Sequence, residues 1–273
     1  MIIVSCRKKF SHTRLLSARL QVRDYADPAH SDAHVRISLA RLRARARGRR
    51  VCLLVHGFRH RLPHVLKSYA ELQARMKASG VAGPAGYGLV VGFTWPGWNS
   101  APGFLAARVT ATRAAASLRR LVGHLRPVAR GLDVQTHSLG ARVALGALLQ
   151  LEPGSIDNLL LTAPAVDDTI LEPGRAFHDA LGGCRRCFVY HSRKDDTLRK
   201  AYPLGDLADG IQPALGLNGP RRRGNLRKTC PNVYVVDCAA RVPDHGAYRR
   251  ADAYFRHWRR VLGGQPLARR EKL

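Results

Sequence analysis

LDVQTHSLGARVALG, from Leu132 to Gly146, passes from a short apolar strand, Leu132 to Val134, through Thr136-His137-Ser138-Leu139-Gly140 into a helix rich in alanine and glycine. A strand that gives way at once to a helix forces a sharp turn, and a serine at its apex is lifted out of the strand end into the open. That is the layout of a nucleophile elbow. The turn is strained, so its neighbours must be small, and Gly140, Ala141 and Ala144 let the helix pack close to the strand. Ser138 is therefore the candidate nucleophile. The alternative is a serine that only caps the following helix. The usual pattern for such a turn is G-x-S-x-G, and here Thr136 stands in place of the first glycine.

Working outward, strand and helix patterns alternate on both sides. Met1 to Ser5 reads as a strand, Leu15 to Tyr25 fits either helix or strand, and His34 to Arg47 reads as an amphipathic helix ending near Gly48. Val51 to Val55 is a continuous apolar run, the mark of a buried central strand. A helix over Leu66 to Ala78, a strand over Leu89 to Phe93 and a long helix over Phe104 to Leu125 lead back to the elbow. Beyond it come strands at Ile156 to Thr162, Cys187 to His191 and Val233 to Val236, then a final helix over Tyr248 to Leu262. This alternation predicts an α/β fold, a mostly parallel central sheet flanked by helices, with ligands held at the carboxyl ends of the strands. The length of 273 residues fits one such domain over 1–273, with 199–232, rich in Gly and Pro, as a candidate lid or wall.

A serine hydroxyl needs a base to take its proton, and the base needs an acid to orient it. His245, after the last long strand, is the candidate base, with His191 and His257 as competitors; a loop histidine can swing over the elbow, whereas His191 belongs to a strand. Asp195 is the candidate acid, with Asp196 beside it and Asp167 after the preceding strand as alternatives. The backbone N–H groups of Leu139 and of Phe58, in the His56-Gly57-Phe58 turn, are the candidate oxyanion hole. His56, Gly57, Trp95, Trp98 and His137 are candidate pocket residues, although the tryptophans could equally cover the core. His137 sits next to the serine on a sharp turn and so points away from it, as a packing or hydrogen-bonding neighbour.

VCLLVHGF, GFTWPGW, THSLGARVAL, LLTAPAVDD, VYHSRKDDTL and DHGAYRRADAYF taken together resemble the alpha/beta-hydrolase superfamily. More narrowly, they resemble a bacterial group of esterase/lipase-like serine hydrolases. The resemblance runs from about Val51 to Trp258. It implies the alpha/beta-hydrolase fold, a Ser138, Asp195, His245 triad, and a small-molecule substrate with an ester or similar acyl bond.

The net charge of +27 is carried mostly by arginines spread through the chain, with the densest runs at Arg41 to Arg50 and Arg221 to Lys228. Neither run has the interleaved aromatics of a single-strand-binding surface. A solvated basic surface is expected, with weak electrostatic association with anionic lipid or nucleic acid as the second reading. Cys184 and Cys187 form a C-x-x-C, but Cys230 and Cys238 lack the spacing for the second half of a zinc site. His56, His60 and His64 recur every four residues, yet Gly57 and Pro63 oppose one continuous helix through them. Neither a metal nor a cofactor is expected. The apolar N-terminal run is too short for a signal peptide, and no stretch approaches the ~20 apolar residues of a transmembrane helix. A cytoplasmic protein with reduced thiols is the expectation.

Overall fold

A computed structural model describes residues 1–28, 33–58, 60–98, 100, 103–205 and 212–273. Strands β1 (Ile2–Arg7), β2 (Leu16–Tyr25) and β3 (His34–Ile37) precede helix α1 (Leu39–Ala46). Then come β4 (Arg50–Val55), α2 (Leu62–Ala78), β5 (Leu89–Thr94), α3 (Phe104–Leu125), β6 (Gly131–His137), α4 (Gly140–Leu148) and β7 (Ile156–Thr162). The remainder is β8 (Cys184–His191), α5 (Asp196–Gly205), α6 (Leu215–Asn218), α7 (Arg223–Thr229), β9 (Val233–Asp237), α8 (Asp252–Leu262) and β10 (Arg270–Lys272). The ten strands form one sheet in the order β10-β9-β8-β7-β6-β4-β5-β1-β2-β3. It is parallel from β10 to β1, and only the pairings of β2 with β1 and with β3 are antiparallel.

Val51 to Val55 are buried throughout, as a strand covered on both faces requires. β4 lies between β5 and β6, so the chain leaves β4 to one side and later passes to the other. The crevice at the carboxyl ends of β4 and β6 is thus a topological switch point, where α/β sheets hold their ligands. Alanines let the covering helices come close: an added Cβ on Gly146 of α4 would lie 3.0 Å from Cβ of Ala115 on α3. Gly140 has no room at all. Its Cβ would stand 2.6 Å from the carbonyl oxygen of Val55 and 2.7 Å from that of His56, so α4 starts against the end of β4.

Two sequence expectations change and one open reading is settled. His34 to Arg47 is not one helix. His34–Ile37 pairs with Val22 to Tyr25 of β2, and α1 begins only after Ser38, whose Oγ accepts the N–H of Arg41 at 3.1 Å. An available edge for pairing overrides the weak helical pattern. In the ambiguous stretch, Leu16–Tyr25 is a strand, fixed by its pairing with β1. The last helix starts at Asp252, because Ala247–Arg249 forms a separate 3-10 turn. Of the candidate lid or wall, residues 206–211 lie outside the described residues. The described part crosses the strand ends: Leu215 N–H donates to the Val166 carbonyl at 2.7 Å, and Ser192 N–H to the Gly216 carbonyl at 3.0 Å. Among the described residues no helix is long and apolar enough to cross a membrane.

Candidate active site

Ser138 follows β6 directly, with φ at +55°. A non-glycine residue adopts that left-handed conformation only under constraint from its surroundings. The constraint is visible: Ser138 N–H donates to the Thr162 carbonyl at the end of β7 (3.0 Å), and the Ser138 carbonyl accepts from Ala165 N–H (3.2 Å). On the other side the Cα of Gly57 is pressed against the elbow. A Cβ there would lie 2.8 Å from Cβ of Ser138 and 3.0 Å from the His137 carbonyl oxygen. The turn carrying Phe58 and the turn carrying Ser138 and Leu139 are therefore in direct contact.

Two strands along, Asp195 follows β8 and is fully buried. One carboxylate oxygen accepts the N–H of Leu198 at the start of α5 (2.9 Å), and the other lies 2.7 Å from Nδ1 of His245. A buried carboxylate held from its own backbone is a fixed acceptor, so it sets the orientation of the imidazole. The His245 loop is tied down twice more. Nε2 of His137 donates to the His245 carbonyl (2.9 Å), with the two rings 4.6 Å apart, and Ser192 Oγ donates to the Val242 carbonyl (2.7 Å). His245 is thereby docked on the residue that precedes Ser138.

The alternative acids are engaged elsewhere. Asp196 is exposed and pairs with Lys200 at 3.0 Å and Arg199 at 3.2 Å, whereas Asp167 accepts from Tyr202 OH at 2.6 Å. His191 and His257 are buried, and burial lowers both to about 4. Burial also holds His137 well below the ordinary histidine range, with His245 adding to the effect. His137 is a neutral donor that anchors the His245 loop.

The candidate pocket residues separate. His56 and His137 border a cavity of about 170 Å³ between β4, β6 and β7 and the helices α2 and α8, floored by Val55, Tyr69, Leu72 and Tyr254. His245 also lines it. Clefts of about 390 and 610 Å³ lie elsewhere, near Arg269 and near Arg49. Neither larger cleft includes Ser138, Asp195 or His245. Trp95 is completely buried, stacked on His56 at 5.5 Å with its Nε1 donating to the His56 carbonyl at 2.8 Å. Trp98 leans on α3, with Nε1 3.3 Å from Thr110 Oγ1 and Arg14 stacked 5.0 Å above its ring.

Three side chains with no motif of their own hold the turn after β4. Tyr69 OH accepts the His56 N–H at 2.9 Å and lies 2.8 Å from the Leu54 carbonyl. Nε2 of His56 accepts the N–H of Trp95 (3.1 Å), which leaves Nδ1–H to donate to the Gly57 carbonyl (2.8 Å). Thr94 Oγ1 lies 3.1 Å from that Nε2 and accepts from Nε of Arg7 at 2.9 Å. Burial, then Arg7, holds His56 well below its ordinary range, so it stays neutral. The nearest thing to a signal in the sequence is an arginine closing the apolar run IIVSCR. All six cysteines are buried free thiols, and Cys184 and Cys187 both lie in β8.

A family model described as "Alpha/beta hydrolase of unknown function (DUF900)" matches residues 32–209, a span that includes Ser138 and Asp195 and ends before His245. Comparison with curated proteins gives no match.

Proposed function

The chain belongs to this alpha/beta-hydrolase family, and on that premise we propose that it is a serine hydrolase, cleaving a carboxylic ester or similar acyl bond through an acyl-enzyme. The observation that carries the reading is the 2.7 Å contact between Nδ1 of His245 and the buried Asp195, docked beside an elbow whose serine has φ at +55°. His245 takes the proton of Ser138 as Oγ attacks the carbonyl carbon. The N–H groups of Leu139 and Phe58 hold the oxyanion, and its collapse expels the leaving group with the proton from His245. Water, deprotonated by His245, then attacks the acyl-enzyme and releases the acid and Ser138. Replacing Ser138→Ala abolishes hydrolysis of p-nitrophenyl esters and labelling by a serine-directed phosphonate. Unchanged labelling of that variant would overturn the assignment.

A second property, docking on anionic lipid alongside catalysis, is favoured by α3. Its 22 residues include no Asp or Glu. Its solvent face carries Leu105 and Val109, 47% and 54% exposed, followed by exposed Arg113 and Arg119. Apolar side chains beside arginines suit a negatively charged interface. Sedimentation with phosphatidylserine-containing vesicles that fades as salt rises, and none with phosphatidylcholine alone, is the expected result.

A further inference from the structure

Arg7 is an unusual residue to find at the heart of a sheet. It closes β1, outside the matched span of 32–209, and is completely buried. Among the described residues no carboxylate pairs with its guanidinium, and its partners are all neutral. Nε donates to Thr94 Oγ1 at 2.9 Å, Nη1 to the His12 carbonyl at 3.3 Å, and Nη2 to the His60 carbonyl at 3.1 Å, with Nε2 of His56 3.4 Å from the same Nη2. Taking a charge out of water without a counter-charge is costly, and structures keep such a group only where its geometry is needed. Burial draws its pKa down to about 10, so it remains a cation at neutral pH.

What the guanidinium grips is informative. One nitrogen, Nη2, reaches both His56 and His60, the two sides of the turn that carries Phe58. A second, Nε, holds Thr94, whose hydroxyl meets the same imidazole nitrogen. That imidazole in turn donates through Nδ1 to the Gly57 carbonyl. A hydrogen bond to that carbonyl fixes the plane of the Gly57–Phe58 peptide, and hence the direction of the Phe58 N–H. The geometry points to Arg7 as the positioning residue of the oxyanion turn, acting through His56 and His60 to aim the Phe58 amide. The inference rests on the serine-hydrolase reading and extends it to the N-terminal strand.

An oxyanion donor acts mainly where charge develops, so misaiming it lowers turnover more than substrate binding, and losing one outright costs about 10²–10³ in kcat. Lysine keeps the charge but has a single nitrogen and cannot span these acceptors. Arg7→Lys is therefore expected to lower kcat on p-nitrophenyl esters by about 10- to 100-fold while KM stays within about threefold, and to slow phosphonate labelling of Ser138 in parallel. Thr94→Val, which keeps Arg7 and removes the hydroxyl between it and His56, gives a smaller loss of kcat with the same unchanged KM. It carries the test if Arg7→Lys fails to fold by circular dichroism. A folded Arg7→Lys or Thr94→Val protein with wild-type kcat and labelling rate overturns the role of Arg7 and leaves the hydrolase reading standing. A KM rise with kcat preserved also overturns it. Wild-type protein that takes no label and cleaves no ester overturns both.

Discussion

Two histidines stand at the same end of the sheet in opposite conditions. His56, at the exit of β4, is sealed under Trp95 with Nδ1 against the Gly57 carbonyl and Nε2 against Thr94, Trp95 N–H and Arg7. His245, after β9, is 17% exposed and has Nδ1 on a buried carboxylate. A base must cycle between neutral and charged forms, so it needs a partner that welcomes the cation. Asp195 is such a partner. His56 has a neutral acceptor on one side and an arginine on the other, which forbids the charged form. The same residue type is thus a structural strut in one loop and a candidate proton carrier in the other, and burial and partner charge make the difference.

The sharpest way to break the contrast is to remove the negative charge from the His245 side. Asp195→Asn should lower kcat by about 10³- to 10⁴-fold, whereas Asp196→Asn, measured in the same kinetic series, should stay within about twofold. Equal losses in the two variants would show that the Asp195 contact does not orient the base.

Stability against pH examines the other side of the contrast, with a smaller effect. His56 and His137 are held well below 6.5, and His191 and His257 lie near 4, so all four are neutral when folded and ordinary when unfolded. Between about pH 6.5 and 4 the unfolded chain binds more protons at these sites. Their contribution is therefore full above about 6.5 and is lost as pH falls. Asp133 opposes them. Burial raises it from 3.8 to about 6, so the folded state holds its proton more tightly and its contribution is lost as pH rises through about 6; Asp168, also raised by burial, acts in the same sense. Four histidines outweigh two acids. Unfolding free energy should decline on acidification from pH 7 to 5, by up to about 1.4 kcal/mol per pH unit for each net proton. Urea titrations at several pH values check the slope, and a flat profile would show that these histidines are not held neutral.

The elbow, the central strands and the helix over Phe104–Leu125 were legible because local signals agree there: apolar runs, small residues and a turn at every boundary. Asp195 and Asp196 are adjacent in sequence and differ only in the direction each side chain takes at the start of α5. One is buried against His245, the other faces Lys200, and no local pattern encodes that difference. β3 reads as helix in the sequence because Val35 and Ile37 alternate only briefly before Leu39 and Leu42 resume a helical spacing. β10, Arg270–Lys272, is a charged three-residue edge with no apolar signature. Arg7 was illegible for a deeper reason: its contacts reach 49 to 87 positions along the chain, to His56, His60 and Thr94.

Trp98, Ser138 and Ala163 have φ of +58°, +55° and +46°; Ser138 and Ala163 directly follow β6 and β7, and Trp98 lies in the loop that leaves β5. Glycine adopts that conformation without strain, so at these positions most side chains, serine included, are a standing disadvantage to the folded chain. Stability alone favours glycine over serine at position 138. A serine at this φ is held against its own folding preference, and exchanging it for glycine is a downhill step toward a sturdier protein on the same scaffold.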